Sequence, residues 1–85
     1  MKVPNPEHWS HELIQDPDGS HRLEILDERG ELYPIARGIT AGQAKLLLKA
    51  IEREATRRRY AIAEVIRDPQ FMAPTIIAVK RSHGG

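Results

Sequence analysis

The sequence predicts an α+β domain: an antiparallel sheet of a three-stranded meander plus a C-terminal hairpin, packed in two layers on one main helix. Three observations carry this. Asp16-Pro17-Asp18-Gly19 and Asp27-Glu28-Arg29-Gly30 are turn sequences set between short runs of alternating polarity. Thr40 opens a long run of helix formers with apolar residues at helical spacing. Thr75 to Arg81 is rich in β-branched residues.

Taken in order, residues 1–8 hold two prolines and no periodicity and read as an extended arm. Trp9 to Gln15 reads as the first strand. Pro17 presets the first central turn position and Gly19 accepts positive φ. His21 to Asp27 follows as a second strand, with Leu23 and Ile25 on one face. Glu31 to Arg37 is the third. Pro34 inside it has no amide to donate, which places this strand at an edge or on a bulge.

Thr40 with Gln43 three residues later matches a capping box. At 100° per residue, Ala44, Leu47, Leu48, Ile51 and Ala55 share one face, which should meet the sheet. Tyr60 to Arg67 is open between two readings. Ile62 and Ile66 would extend the helix; alternatively the stretch is a strand, apolar on both faces, pairing with the last one. The strand is preferred because a hairpin buries both segments. Residues 68–74 then form a loop, 75–81 a strand, and 82–85 a disordered tail, leaving 9–81 as a single domain.

The chain of 85 residues has room for one domain and a thin core. It has no Cys, so disulfide frameworks and thiolate metal sites are excluded. No apolar run approaches the roughly 20 residues of a membrane helix, and Met1 to Pro6 does not read as a signal peptide. The expectation is a soluble, cytoplasmic protein. Its net charge of +1 conceals an asymmetry. Residues 1–35 carry three basic groups against eight acidic ones; residues 36–85 carry ten against four. The halves either face each other or leave a polarised surface.

Motifs for chemistry are sparse. His8, His11, His21 and His83 are the histidines; His8 and His11 point to opposite faces of a strand, so a metal site would need His21 to join across the hairpin. The plainer reading is solvated histidines. Ser10 and His11 are adjacent, but no nucleophile elbow or phosphate loop is present. Glu12 and Glu24 would meet across strands, as a polar outer face before an acid–base pair. The reading is therefore not an enzyme, with no cofactor and no metal.

The basic stripe carries more. Lys45, Lys49, Arg53 and Arg57 recur every four residues, followed by Arg58 and Arg59. The stripe advances about 40° per step, slanting around the side of the helix away from the sheet. Leu46 lies roughly opposite the buried face, amid Lys45, Lys49 and Arg53. An apolar anchor with a charged rim is the anatomy of a small interface, although one exposed Leu alone means little and the N-terminal arm or Trp9 could cover it. The plainer reading is a solubilising face whose cationic end complements the helix dipole. A competing partner is nucleic acid, with Arg57, Arg58, Arg59, Lys80 and Arg81 on phosphates and Tyr60 stacking; the small net charge and few aromatics count against it.

The run Trp9, Asp16-Pro17-Asp18-Gly19, Leu23 to Asp27, Gly30, Ala36 and Gln43 to Leu47 resembles small phage- and prophage-encoded proteins. Strands around one helix, without catalytic motifs, also look like several anti-CRISPR proteins. That resemblance implies a non-catalytic inhibitor of a host complex, often one that mimics or blocks a nucleic-acid site. No functional residue carries over. The arginine excess departs from acidic DNA mimics, and only the acidic stretch 12–31 suits that role. The expectation is a protein-interaction module whose partner is a host or phage protein complex, docked on Lys45, Leu46, Lys49, Arg53, Arg57, Arg58 and Arg59; the alternative is a nucleic-acid-binding protein using the basic helix end. No membrane partner is expected, and the edge at Pro34 permits a homodimer.

Overall fold

The computed structural model describes residues 9–26 and 30–82. The arm (1–8) and most of the tail (83–85) lie outside the described residues, as do Asp27, Glu28 and Arg29 of the second turn.

Strands β1 (Ser10–Gln15), β2 (His21–Leu26) and β3 (Leu32–Ile39) form an antiparallel meander of order β1-β2-β3. Its first turn closes by a Gly19 amide bond of 3.0 Å to the Asp16 carbonyl. The Asp18 carboxylate accepts from the Ser20 amide at 2.9 Å and the Ser20 hydroxyl at 2.6 Å, which holds that carboxyl below its usual pKa range. Gly19 sits at φ +89°, where a side chain would be strained.

Pro34 lies on the edge strand β3, and a bulge sits beside it. Leu23 pairs with Ala36 but Glu24 pairs with Pro34, so Ile35 is an extra residue. A second irregularity lies between His21, opposite Ile39, and Leu23. Gly38 at φ +66° falls in this stretch, and both Ile35 and Ile39 are buried.

Helix α1 (Ala41–Arg58) starts at the expected cap. The Gln43 amide donates to Thr40 Oγ1 at 3.0 Å and the Thr40 amide to Gln43 Oε1 at 2.9 Å. Ala44, Leu47, Ile51 and Ala55 are buried as the periodicity requires, with Leu48 partly so. Arg59 ends the helix in the left-handed region, and the Tyr60 amide reaches back to the Ala55 carbonyl at 3.0 Å.

The C-terminal third corrects the expected hairpin. Residues 60–67 are neither a strand nor a continuation of α1; after the break at Arg59 they form a short helix α2 (Ile62–Ile66). Its buried residues, Ile62 and Val65, are three apart, which a helix places on one face and a strand on opposite faces. The expected loop 68–74 and strand 75–81 are one helix, α3 (Pro69–Arg81). Asp68 caps it, its Oδ1 accepting the Gln70 amide at 3.0 Å, and Pro69 occupies the first helical position, where an amide is not needed. Pro74 lies inside α3, and Thr75 Oγ1 donates to the Phe71 carbonyl at 2.6 Å. Met72 and Val79, seven residues apart, point into the core. Packing at helical spacing thus overrides the β-branched preference of Thr75, Ile76, Ile77 and Val79.

The α+β class and two-layer meander stand, with two further helices in place of the hairpin. The core joins Leu23, Ile25, Ile35 and Ile39 of the sheet to Leu47, Ile51, Val65 and Met72 of the helices. No helix among the described residues is long and apolar enough to cross a membrane.

Candidate functional site on the exposed face of α1

The exposed side of α1 is set by the register of its buried side. With Gln43, Ala44, Leu47, Ile51 and Ala55 inward, Lys49 points directly away from the core, flanked by exposed Lys45 and Arg53. Among the described residues no ion pair engages Lys45, Lys49 or Arg53. A shallow dish of about 550 Å3 runs along this face, lined by Lys49, Glu52, Arg53, Thr56 and Arg57.

Leu46 is 41% exposed among the described residues. Its position differs from expectation. It lies one turn on from Gln43, on the flank bordering α3, rather than opposite the buried face. Trp9 does not cover it: that ring packs against Tyr33 at 5.9 Å and lines a cleft with His11, Ile25, Leu48 and Ile51.

The arginine cluster at the helix end divides. Arg57 donates to both oxygens of Glu54, at 2.9 and 2.8 Å. Arg58 also pairs with Glu54, and its Nη1 lies 2.6 Å from Asp68 Oδ2. The Arg58 guanidinium sits 5.9 Å from the Tyr60 ring centre and 5.7 Å from that of Phe71. It therefore ties the end of α1 to the start of α3, a role that its place in a basic run does not reveal. Hydrogen bonds from Arg57 hold the Glu54 carboxyl below its usual range, and those from Arg58 do the same for Asp68. Arg59 is exposed at the left-handed cap.

The grouping of Arg57, Arg58 and Arg59 with Lys80 and Arg81 does not form. Gln43 Nε2 donates to the Lys80 and Ser82 carbonyls at 3.3 and 3.1 Å, so the end of α3 lies at the start of α1. Arg58 is fifteen residues further along α1, a rise of about 22 Å. Lys80 and Arg81 instead approach the Lys45 end.

The remaining candidates are scattered. Glu12 and Glu24 are direct cross-strand partners, as expected, on the sheet face away from the helices. His11 pairs with Ile25 and His21 with Gln15, four positions apart, or about 13 Å along the ribbon, so they do not converge. No group of three potential ligands gathers among the described residues, and His8 and His83 lie outside them. No family model, curated protein or solved structure matches this chain.

Proposed function

We propose that this chain is a non-enzymatic protein-interaction module that docks an acidic partner surface on the exposed face of α1. The observation that carries the reading is Leu46, 41% exposed and bordered by Lys45, Lys49 and Arg53, none of which is paired among the described residues. An exposed leucine beside exposed cations supplies an anchor that loses water on docking and a rim that selects opposite charge. A cytoplasmic setting suits a chain without cysteine. The narrower form of the reading, an inhibitor of a host complex carried by a phage and akin to anti-CRISPR proteins, rests on the sequence resemblance.

The pairing of Arg57 and Arg58 with Glu54 and Asp68 weighs against nucleic acid, because phosphates would have to displace carboxylates already in place. Affinity capture from the source cells, with and without nuclease, tests both partners. The expected result is a protein partner that survives nuclease and is lost with Leu46→Asp or Lys49→Glu. Complexes untouched by both substitutions would refute the reading, and partners lost only on nuclease treatment would transfer the role to nucleic acid.

A further inference from the structure

The exposed face of α1 continues onto α3. The two helices run antiparallel, joined by Gln43 to Lys80 and Ser82 at one end and by Arg58 to Asp68 at the other. This alignment sets Leu46 level with Ala78, and Ala50 level with Thr75. The stripe of α3 that faces α1 is Phe71, Thr75, Ala78 and Ser82, with Phe71 against Arg58 and Ser82 against Gln43. Ala78 is nevertheless exposed, as are the neighbouring Pro74 and Ile77, the last at 52%. Leu46, Ala50, Pro74 and Ala78 thus line the outer seam between the two helices, whereas Ile77, about 100° further round α3 from Ala78, lies on the flank away from α1. Lys49 and Arg53 border it on α1 and Arg81 on α3. Helix α3 contains no carboxylate, and Glu54, the acidic residue on this flank of α1, is held by Arg57 and Arg58.

We propose that this two-helix face seats an amphipathic helix of a partner protein, apolar on one side and flanked by Asp or Glu. The inference rests on the reading that α1 docks an acidic partner; it adds that α3 supplies half of the seat. The shallow furrow between two antiparallel helices accepts a third by ridge-into-groove packing, and alanines at its floor permit close approach. The thirteen residues of α3 span about 20 Å, matching three to four turns of a partner helix. Charge selects the occupant. A second copy docking by this same face would bring Lys49, Arg53 and Arg81 to a surface with no free carboxylate, whereas acidic flanks on a partner complement all three.

The probe is a synthetic helical peptide of about five turns with leucines on one face and glutamates on both flanks. It is titrated into the isotope-labelled full chain by NMR, beside the same peptide with lysine for glutamate and a poly-glutamate of equal length. The expected result is saturable binding of the Glu-flanked helix alone, with shifts at Leu46, Ala50 and Ala78. Ala78→Glu, at an exposed position on the seam, should weaken it at least about tenfold while leaving the melting curve in place, whereas Ile77→Ser on the far flank should leave binding unchanged. Absence of binding by the Glu-flanked helix, or equal binding of poly-glutamate, overturns the proposal. If Leu46→Asp and Lys49→Glu abolish binding while Ala78→Glu retains it, the α3 half of the seat fails and docking on α1 survives. Failure of the α1 reading itself shows instead as native complexes indifferent to Leu46→Asp and Lys49→Glu.

Discussion

Gln43 is the point at which local and tertiary structure make opposite predictions. As the third residue of a capped helix, it is interchangeable with Glu, which accepts the same bond from the Thr40 amide and adds a favourable charge near the helix N-terminus. In the folded chain, however, Gln43 is 8% exposed and its Nε2 donates to the carbonyls of Lys80 and Ser82. A carboxylate cannot donate and would face two carbonyl oxygens. Gln43→Met removes the cap bond and both bridging bonds at nearly constant volume. Three bonds at about 0.5–1.5 kcal/mol each, with the freed carbonyls at a helix end that water reaches, give a loss of about 2–3 kcal/mol. In a domain of this size that lowers Tm by about 10–20 °C. Gln43→Glu retains the cap and should still lose about 1–2 kcal/mol at neutral pH, because only the bridge is broken. Urea titration followed by circular dichroism measures both, at constant slope. Hydrogen exchange supplies the second readout: the last turn of α3 should lose protection before β2 does. If Gln43→Glu is as stable as the parent, the bridge to α3 contributes nothing and the antiparallel clamp is not what holds these helices together.

Other perturbations follow from the same structure. Leu47→Ala empties a fully buried site at the centre of the core and should cost about 3–5 kcal/mol, read as a collapse of the urea midpoint; a loss below about 1 kcal/mol would mean the core is misplaced. Arg59 occupies the left-handed cap at φ 55°, so Arg59→Gly should raise stability by about 0.5–1 kcal/mol, and a fall would contradict that geometry. Folding depresses the pKa values of Glu54 and Asp68, chiefly through hydrogen bonds from Arg57 and Arg58 respectively. Their contribution is therefore complete above the ordinary carboxylate range and is lost as pH falls through the depressed values. The urea midpoint should hold from neutral pH to about 5 and decline below about pH 4. Asp68→Asn, which keeps the helix cap, should be less stable at neutral pH and decline less in acid; an unchanged acid limb would remove the Arg58–Asp68 pair from the account.

Much of the N-terminal two thirds was legible because its signals are local. A Pro-Asp-Gly turn, a proline that forbids a central strand and a Thr-x-x-Gln cap each act within a few residues, so the meander and the start of α1 follow from them. The C-terminal third was misread because its local signals conflict. Thr75, Ile76, Ile77 and Val79 favour a strand, while Asp68 followed by Pro69 is a helix start that also passes for a turn. Of the basic residues, Lys45, Lys49 and Arg53 were correctly placed in solvent by periodicity alone. Arg58 was not, since its partners Asp68 and Phe71 lie ten and thirteen residues away and come near only once α3 has docked.

The chain by itself determined which faces of β2 and α1 turn inward, and hence that a cationic helix side meets water: side-chain period is a property of the backbone. Tertiary packing decided which of those cations are free. Antiparallel docking of α3 brings carboxylates and carbonyls to one end or the other of α1, consuming Arg58 and fixing Gln43, and it brings Ala78 level with Leu46. Proximity between residues thirty or more positions apart is created by burial of Met72 and Val79, and no local pattern encodes it.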